Sequence, residues 1–318
     1  SYVLQSSTDG AVWTVVNASA TSPAVITGLT AGTQYIYRVY AVNASGNGTP
    51  TSVIATAGGN TAGNFASAPT GTNATAGTIP VSGDGNIASY TSAVLADNPT
   101  GFWPLSDASG ATSVADSGSA GVAGTPTSVT LGGATNYSPL GSSRLAASFN
   151  GTSSRIVTTD NAAWNTASVT AEAWIKPAAT QGTSNWGVVV AHNATGNIGW
   201  WVETLSSGQI YAQFGGVAAM SATGIILPNK WQHIAATFDG SFIRLYVNGV
   251  VVASTAAYGI SVATVSAPIM MGARGTTASN FFSGLISNVA VYGSALSESR
   301  IQTHVQAGGL AVNTVSAP

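Results

Sequence analysis

Cysteine is absent from the 318 residues and charge is nearly so: eight basic and ten acidic side chains make up 6% of the chain, against roughly a quarter in an average soluble domain. Without thiols there is no disulfide framework and no thiolate metal centre. The basic residues include only two lysines, Lys176 and Lys230, and the net charge is −2. That leaves no positive stripe to follow a phosphate backbone, so no nucleic-acid partner is expected. Long apolar runs are missing as well. Gly, Ser, Thr or Asn interrupts each stretch before it reaches about 18 residues, so no membrane insertion is expected.

What fills the chain is Ala, Ser, Thr, Gly and Asn around a normal hydrophobic fraction of 45%. The length suits about two domains and is ample to bury a core without covalent staples. The chain opens on Ser1 with no charged-then-apolar leader. Its first residues read as the middle of a domain and its last, Asn313 to Pro318, as the approach to another module. The expectation is a piece of a longer modular protein.

Period-two alternation dominates, the pattern of half-buried strands. Residues 1–57 form a first block, with strands either side of an Asp9-Gly10 turn. Residues 58–89 are rich in Gly, Ala, Thr, Asn and Ser and read as a linker. Residues 90–309 carry strand and turn signals at sandwich spacing, and 310–318 a tail or the start of a next module. Asp239-Gly240 and Asn248-Gly249 are hairpin turns. His233, Ala235 and Thr237 alternate with Ile234, Ala236 and Phe238, which predicts one buried and one outward face. The single helical stretch is Ser294 to Val305, with Ser297 as N-cap and Gly308-Gly309 as its stop.

The first block resembles the later part of a fibronectin type III domain, through Gly28-Leu29-Thr30-Ala31-Gly32-Thr33-Gln34-Tyr35 and Tyr37 to Gly46. The resemblance implies a tyrosine corner between Leu29 and Tyr35. It also implies a partial sandwich lacking strands A and B, whose inner face (Tyr37, Val39, Ala41) needs a cover, either upstream chain or another subunit. The second block resembles the laminin-G-like, concanavalin A-like jelly-roll family. Six segments carry the match in order: Ala93 to Leu105, Ala115 to Gly118, Phe149 to Thr152, Val169 to Pro177, Lys230 to Gly249, and Phe282 to Ser297. The fold expected is all-β, an antiparallel jelly-roll β-sandwich preceded by a partial fibronectin III β-sandwich.

Catalysis is not expected. Jelly-rolls of this superfamily include glucanases with carboxylates two or four apart on one strand. Here Glu172, Glu203 and Glu298 each lack a second carboxylate within four residues, so one strand supplies no acid–base pair. The three histidines are isolated, and no nucleophile elbow is present. The resemblance implies a possible Ca2+ at the sandwich rim, and the oxygen donors available are Asp116, Asn150 and Asp160. Asn150 and Asn288 stand where the family often has Asp, which weakens such a site. Trp103, Trp174 and Trp231 are expected in the core. The adjacent Trp200 and Trp201 must face opposite sides of their strand. With Asn185, Trp186 and His192 just upstream, Trp201 is the candidate platform for a glycan. The functional expectation is a non-enzymatic carbohydrate-binding or adhesion module on a bacterial surface or a virion. The alternative is a structural spacer packed among neighbouring subunits, and a glycoside hydrolase ranks last.

Overall fold

The computed structural model describes residues 2–7, 13–20, 34–43, 46–47, 51–56, 87–135, 145–182, 184–194, 198–262, 265–275 and 277–310. The chain divides into two compact units, residues 1–84 and 85–318. In the first, β1 (Tyr2–Ser7), β2 (Thr14–Ala20), β3 (Gln34–Asn43), β4 (Gly46–Asn47) and β5 (Thr51–Thr56) form one sheet. β1 lies between β2 and β3, and β3 also pairs with β4 and β5. All these pairs are antiparallel, with Val3 opposite Tyr40 and Gln5 opposite Arg38. Ala41 is exposed. The Asp9-Gly10 turn, Leu29, and the side chains of Tyr35, Tyr37 and Val39 lie outside the described residues, as does most of the expected linker.

The second unit opens with α1 (Ile87–Ala96) and continues through β6 (Gly101–Trp103), β7 (Thr125–Thr127), β8 (Thr130–Thr135), β9 (Leu145–Asn150) and β10 (Arg155–Asp160). Then come β11 (Val169–Pro177), β12 (Trp186–Asn193), β13 (Gly199–Leu205), β14 (Ile210–Phe214) and β15 (Val217–Met220). The last elements are β16 (Gln232–Phe238), β17 (Phe242–Val247), β18 (Val250–Ala256), β19 (Pro268–Met271), β20 (Ser283–Tyr292) and α2 (Glu298–Ala307). Two antiparallel sheets result. One has seven strands in the order β15-β14-β13-β12-β19-β10-β7; the other runs β18-β17-β16-β11-β20-β9-β8, with β6 also pairing on β20.

The core fills the space between these sheets. Trp200 of β13 stacks on Phe214 of β14 (6.1 Å, 22°), and Phe214 stacks on Phe238 of β16 in the opposite sheet (5.7 Å, 24°). Trp103, Trp164, Phe149 and Phe282 complete the large residues of this cluster. Burying each such side chain contributes about 1.5–3 kcal/mol. The turns form as their sequences dictate. Asn248 and Gly249 both adopt positive φ (50° and 81°), the backbone a type I′ hairpin requires. The Asp239 carboxylate accepts the backbone N–H groups of Ser241 and Phe242 (2.8 and 2.7 Å).

Two features depart from the sequence expectation. A second helix exists, α1, where linker and strand were expected. And β16 is buried on both faces, because α1 and α2 cover the outer side of its sheet. Tyr90 and Val94 of α1 pack with Phe102, Trp174 and Tyr292, and half-buried Trp231 joins this cluster. Ile301 of α2 packs on Ala235 and Tyr246. Trp174 therefore fills a helix-covered core of its own, separate from the one between the sheets. Helix α2 is capped as its sequence suggests, the Ser297 hydroxyl accepting the Arg300 N–H (3.3 Å) and Gly308 ending it.

Candidate functional site

The outer face of the seven-stranded sheet carries the distinctive chemistry. The register lines up Gln213, Trp201, Ala191, Met270 and Val157 across five strands, and Met220, Tyr211, Glu203 and Val188 across four. Opposed residues share a face. At one end of this face Trp186 stands edge-on to Tyr211, with ring centroids 5.3 Å apart and planes at 89°. Trp186 and Tyr211 are half-buried and Met220 is exposed, so together they form an apolar platform open to solvent. Beside it is a cleft of about 380 Å³ lined by Asn185, Trp186, Leu205, Ser206 and Ser207, within the range of small-ligand clefts. Asn185 is exposed, with φ of 64°, a left-handed conformation that asparagine tolerates better than most residues. Its carbonyl accepts the Ser206 N–H (3.0 Å), which ties the two walls of the cleft together.

Trp201 does lie on this outer face, opposite to Trp200, but it is buried rather than open. The Arg274 guanidinium, from the segment between β19 and β20, sits over its ring at 4.2 Å from the centroid. Its indole N–H donates to Glu203 Oε1 (2.9 Å), and Asn280 Nδ2 donates to Glu203 Oε2 (3.1 Å). Burial pushes the Glu203 carboxyl above its ordinary range, against the pull of the Trp201 and Asn280 hydrogen bonds and the Arg274 charge. Tyr211 donates to Gln213 Oε1 (3.0 Å); burial and then the Glu203 charge raise its pKa.

His192 does not join the other expected residues. A β-bulge at Val189 shifts the β12–β13 register between Val188 and Val190, and one extra residue flips every later side chain to the other face. Trp186 and Val188 thus point outward, while His192 pairs with Trp200 on the core side, its ring 6.1 Å from that indole. Burial holds its pKa below the ordinary histidine value. The structure brings Asn185 and Trp186 together, places Trp201 beside them under a cover, and puts His192 on the opposite face.

Of the expected calcium donors, Asp116 sits in the loop after β6, Asn150 ends β9 and Asp160 ends β10. Both Asp116 oxygens are occupied by backbone N–H groups, from Phe102, Gly118 and Val122, each at 2.7 Å. Asn150 Oδ1 accepts from the backbone of Thr152, Ser153 and Ser154, and Asp160 accepts from the Ser266 hydroxyl (2.6 Å). Asp116 and Asn150 thus spend their oxygens on local backbone hydrogen bonds, and Asp160 holds Ser266 across the sequence. No cluster of three or more His, Cys, Asp or Glu suited to a metal occurs among the described residues.

A second polar cluster was not legible at all from spacing. Beneath the helices, Glu172 is fully buried, with Tyr292 Oη donating to it at 2.7 Å and His304 Nδ1 at 2.9 Å, and with His233 Nε2 3.3 Å from Oε2. His304 Nε2 reaches Asp97 (3.0 Å), which also pairs with Arg300 (2.9 Å). Burial alone would raise the Glu172 pKa; the His304 charge and the close approach of His233 and His304 outweigh it and hold the carboxyl far below its usual range. Burial would lower His304, but Glu172 and Asp97 drive it above its ordinary value. With both Glu172 and His304 closed to solvent, this network fastens α1 and α2 to the sheet.

The fold is a concanavalin A-like antiparallel β-sandwich, following a fibronectin type III-like sheet. Residues 150–302 match the family model of the concanavalin A-like lectin/glucanases superfamily, in its laminin G form, and residues 1–57 match that of the fibronectin type III domain. Comparison with curated proteins gives no match. Among solved structures, the binding domain of botulinum neurotoxin serotype D aligns at TM-score 0.52 and 13% identity, over 67% of this chain and 52% of that one. The binding domain of Paraclostridial Mosquitocidal Protein 1 aligns at TM-score 0.50 and 17% identity, over 66% and 52%. Domain 4 of an extracellular arabinanase from Geobacillus stearothermophilus, in complex with arabinotriose, aligns at TM-score 0.47 and 21% identity, over 66% and 98%. The chain thus spans about half the length of the neurotoxin and mosquitocidal binding domains, and at these identities the likeness is one of fold. No helix among the described residues is long and apolar enough to cross a membrane.

Proposed function

We propose that the sandwich is a non-catalytic carbohydrate-binding module of a protein displayed at a cell surface, in the extracellular space or on a virion. The observation that carries this reading is the solvent-open Trp186–Tyr211 platform beside the Asn185–Ser206–Ser207 cleft. A sugar ring offers an apolar face to an aromatic surface and hydroxyls to amides and hydroxyls at its edge, and the cleft supplies both. The neurotoxin and mosquitocidal matches are binding domains by name, which supports a binding role at the level of fold. Among the described residues Glu203 is the carboxylate beside the platform, and it is held by Trp201 and Asn280, so the reading gives hydrolysis no paired group there.

A glycan array probed with the full chain, in calcium and again in EDTA, tests the reading. Selective binding unaffected by EDTA is expected, because the loop hydrogen bonds of Asp116 and Asn150 already use the donors a calcium ion would need. Binding abolished by EDTA would place an ion in the site. A second reading, a structural module packed among neighbouring subunits, draws on Tyr258, which is 67% exposed and edge-on to Phe242 on the other sheet (5.5 Å, 74°). A blank array in both conditions would favour it.

A further inference from the structure

The outer face of the seven-stranded sheet holds a second depression, on the far side of the Arg274–Phe281 segment from the Trp186 cleft. It is a groove of about 560 Å³ whose lining includes Arg155 and Val157 of β10, Met270 of β19, Asn193, Ser266, Thr277 and Phe281. Val157 and Met270 lie side by side in register, an apolar pair in a lining that also carries the polar side chains of Asn193, Ser266 and Thr277. Arg155 is half-buried there. Its guanidinium makes a long hydrogen bond from Nη1 to the Ser153 carbonyl (3.4 Å), and among the described residues no carboxylate forms an ion pair with it. In a chain with eight basic residues in all, a guanidinium lining a groove without a counter-charge is conspicuous. Arg244 and Arg300, by contrast, are each paired with an aspartate.

We propose that this groove binds the carboxylate-bearing residue of an acidic saccharide, separately from the neutral ring stacked at Trp186. The Arg155 fork takes the carboxylate in two parallel N–H···O bonds. Val157, Met270 and Phe281 take the apolar edge of the ring, and the Thr277 hydroxyl bonds a ring hydroxyl. Trp186 and Asn193, which lines the groove, stand at opposite ends of β12, roughly 20 Å apart at ~3.3 Å per residue once the bulge is allowed for, so the two sites contact different residues of one oligosaccharide or different glycans. The inference rests on the carbohydrate-binding reading only for the ligand class, since the groove and its unpaired cation are independent of Trp186.

Titration of the full chain with 3′-sialyllactose, an oligogalacturonate and neutral lactose, followed by calorimetry, tests it. At least one of the acidic probes is expected to bind at least about tenfold more tightly than lactose, and to weaken with added salt. Arg155→Gln should weaken that binding by about tenfold or more at unchanged melting temperature. Arg155→Lys should restore part of it, and Trp186→Ala should leave the acidic preference in place. Equal binding of acidic and neutral probes, no response to Arg155→Gln, or no binding of any acidic probe would each overturn the proposal. Loss of neutral-glycan binding in Trp186→Ala speaks to the first site alone, so the two readings fail separately.

Discussion

The Trp186 indole of β12 meets the Tyr211 ring of β14 edge-on, with centroids 5.3 Å apart, across β13 on the outer face of one sheet. Tyr211 thereby fixes the orientation of the surface on which a sugar would stack. Edge-to-face aromatic pairs contribute ~0.5–1.5 kcal/mol beyond area burial. Tyr211→Ala is therefore expected to weaken glycan binding by up to about tenfold, measured by calorimetry, with little loss of thermal stability. Tyr211→Phe keeps the ring contact and should keep most of the affinity. Equal affinity in wild type and Tyr211→Ala would show that Trp186 does not depend on its neighbour.

Arg274 covers Trp201 at cation–π distance. Arg274→Ala should uncover the indole, seen as red-shifted tryptophan emission and increased acrylamide quenching. Trp201→Phe in the same background should abolish that shift. An unchanged spectrum in Arg274→Ala would mean that the rest of the segment, not the guanidinium, seals the ring.

Burial raises the Glu203 pKa. A carboxyl whose folded pKa lies above its unfolded value favours folding when protonated and opposes it once ionised, so its cost appears as pH rises. Glu203→Gln keeps an oxygen to accept the Trp201 N–H and removes that cost. Its melting temperature relative to wild type should rise from pH 4 to pH 8; a constant difference across that range would contradict the assignment.

His304 and Glu172 form a buried pair with opposite shifts. The raised His304 pKa contributes stability that is complete below about 6.5 and is lost as pH rises through the folded value. The lowered Glu172 pKa contributes stability that is complete above about 4.5 and is lost as pH falls toward the folded value. Both contributions are full between about pH 4.5 and 6.5, with His233, Asp97, Arg300, Tyr90 and Tyr292 the other charged or titratable groups of the cluster. Urea unfolding should give greatest stability in that window and a decline toward pH 9. His304→Gln should cost about 3–5 kcal/mol at pH 6 and flatten the decline. A wild-type profile flat from pH 5 to 9 would refute the linkage.

Local rules were legible where local physics decides. Asn248-Gly249 turns as its backbone preference requires, Ser297 caps α2, and the opposite facing of Trp200 and Trp201 follows from the pleat. Helix α1 was not, because it carries no charged side chain and its buried side chains Tyr90 and Val94 pack against Trp174 and Tyr292 far along the chain. The same long range hid Glu172 and His304, 132 positions apart, and gave β16 a covered outer face. In the candidate site, Asn185 and Trp186 follow one another in the chain and so share the cleft wall. His192 was misplaced by the single extra residue at Val189, which leaves no mark in the residue pattern. Trp201 was seen to face outward, but its cover, Arg274, comes from a distant segment.

The most direct test of the account is a calorimetric titration of a neutral oligosaccharide, chosen from the array, into wild type, Trp186→Ala and Trp201→Phe. The account predicts that Trp186→Ala loses at least about tenfold in affinity with its fold intact by circular dichroism. It predicts that Trp201→Phe, altered under its cover, retains binding. Wild-type affinity in Trp186→Ala, or loss confined to Trp201→Phe, would contradict it.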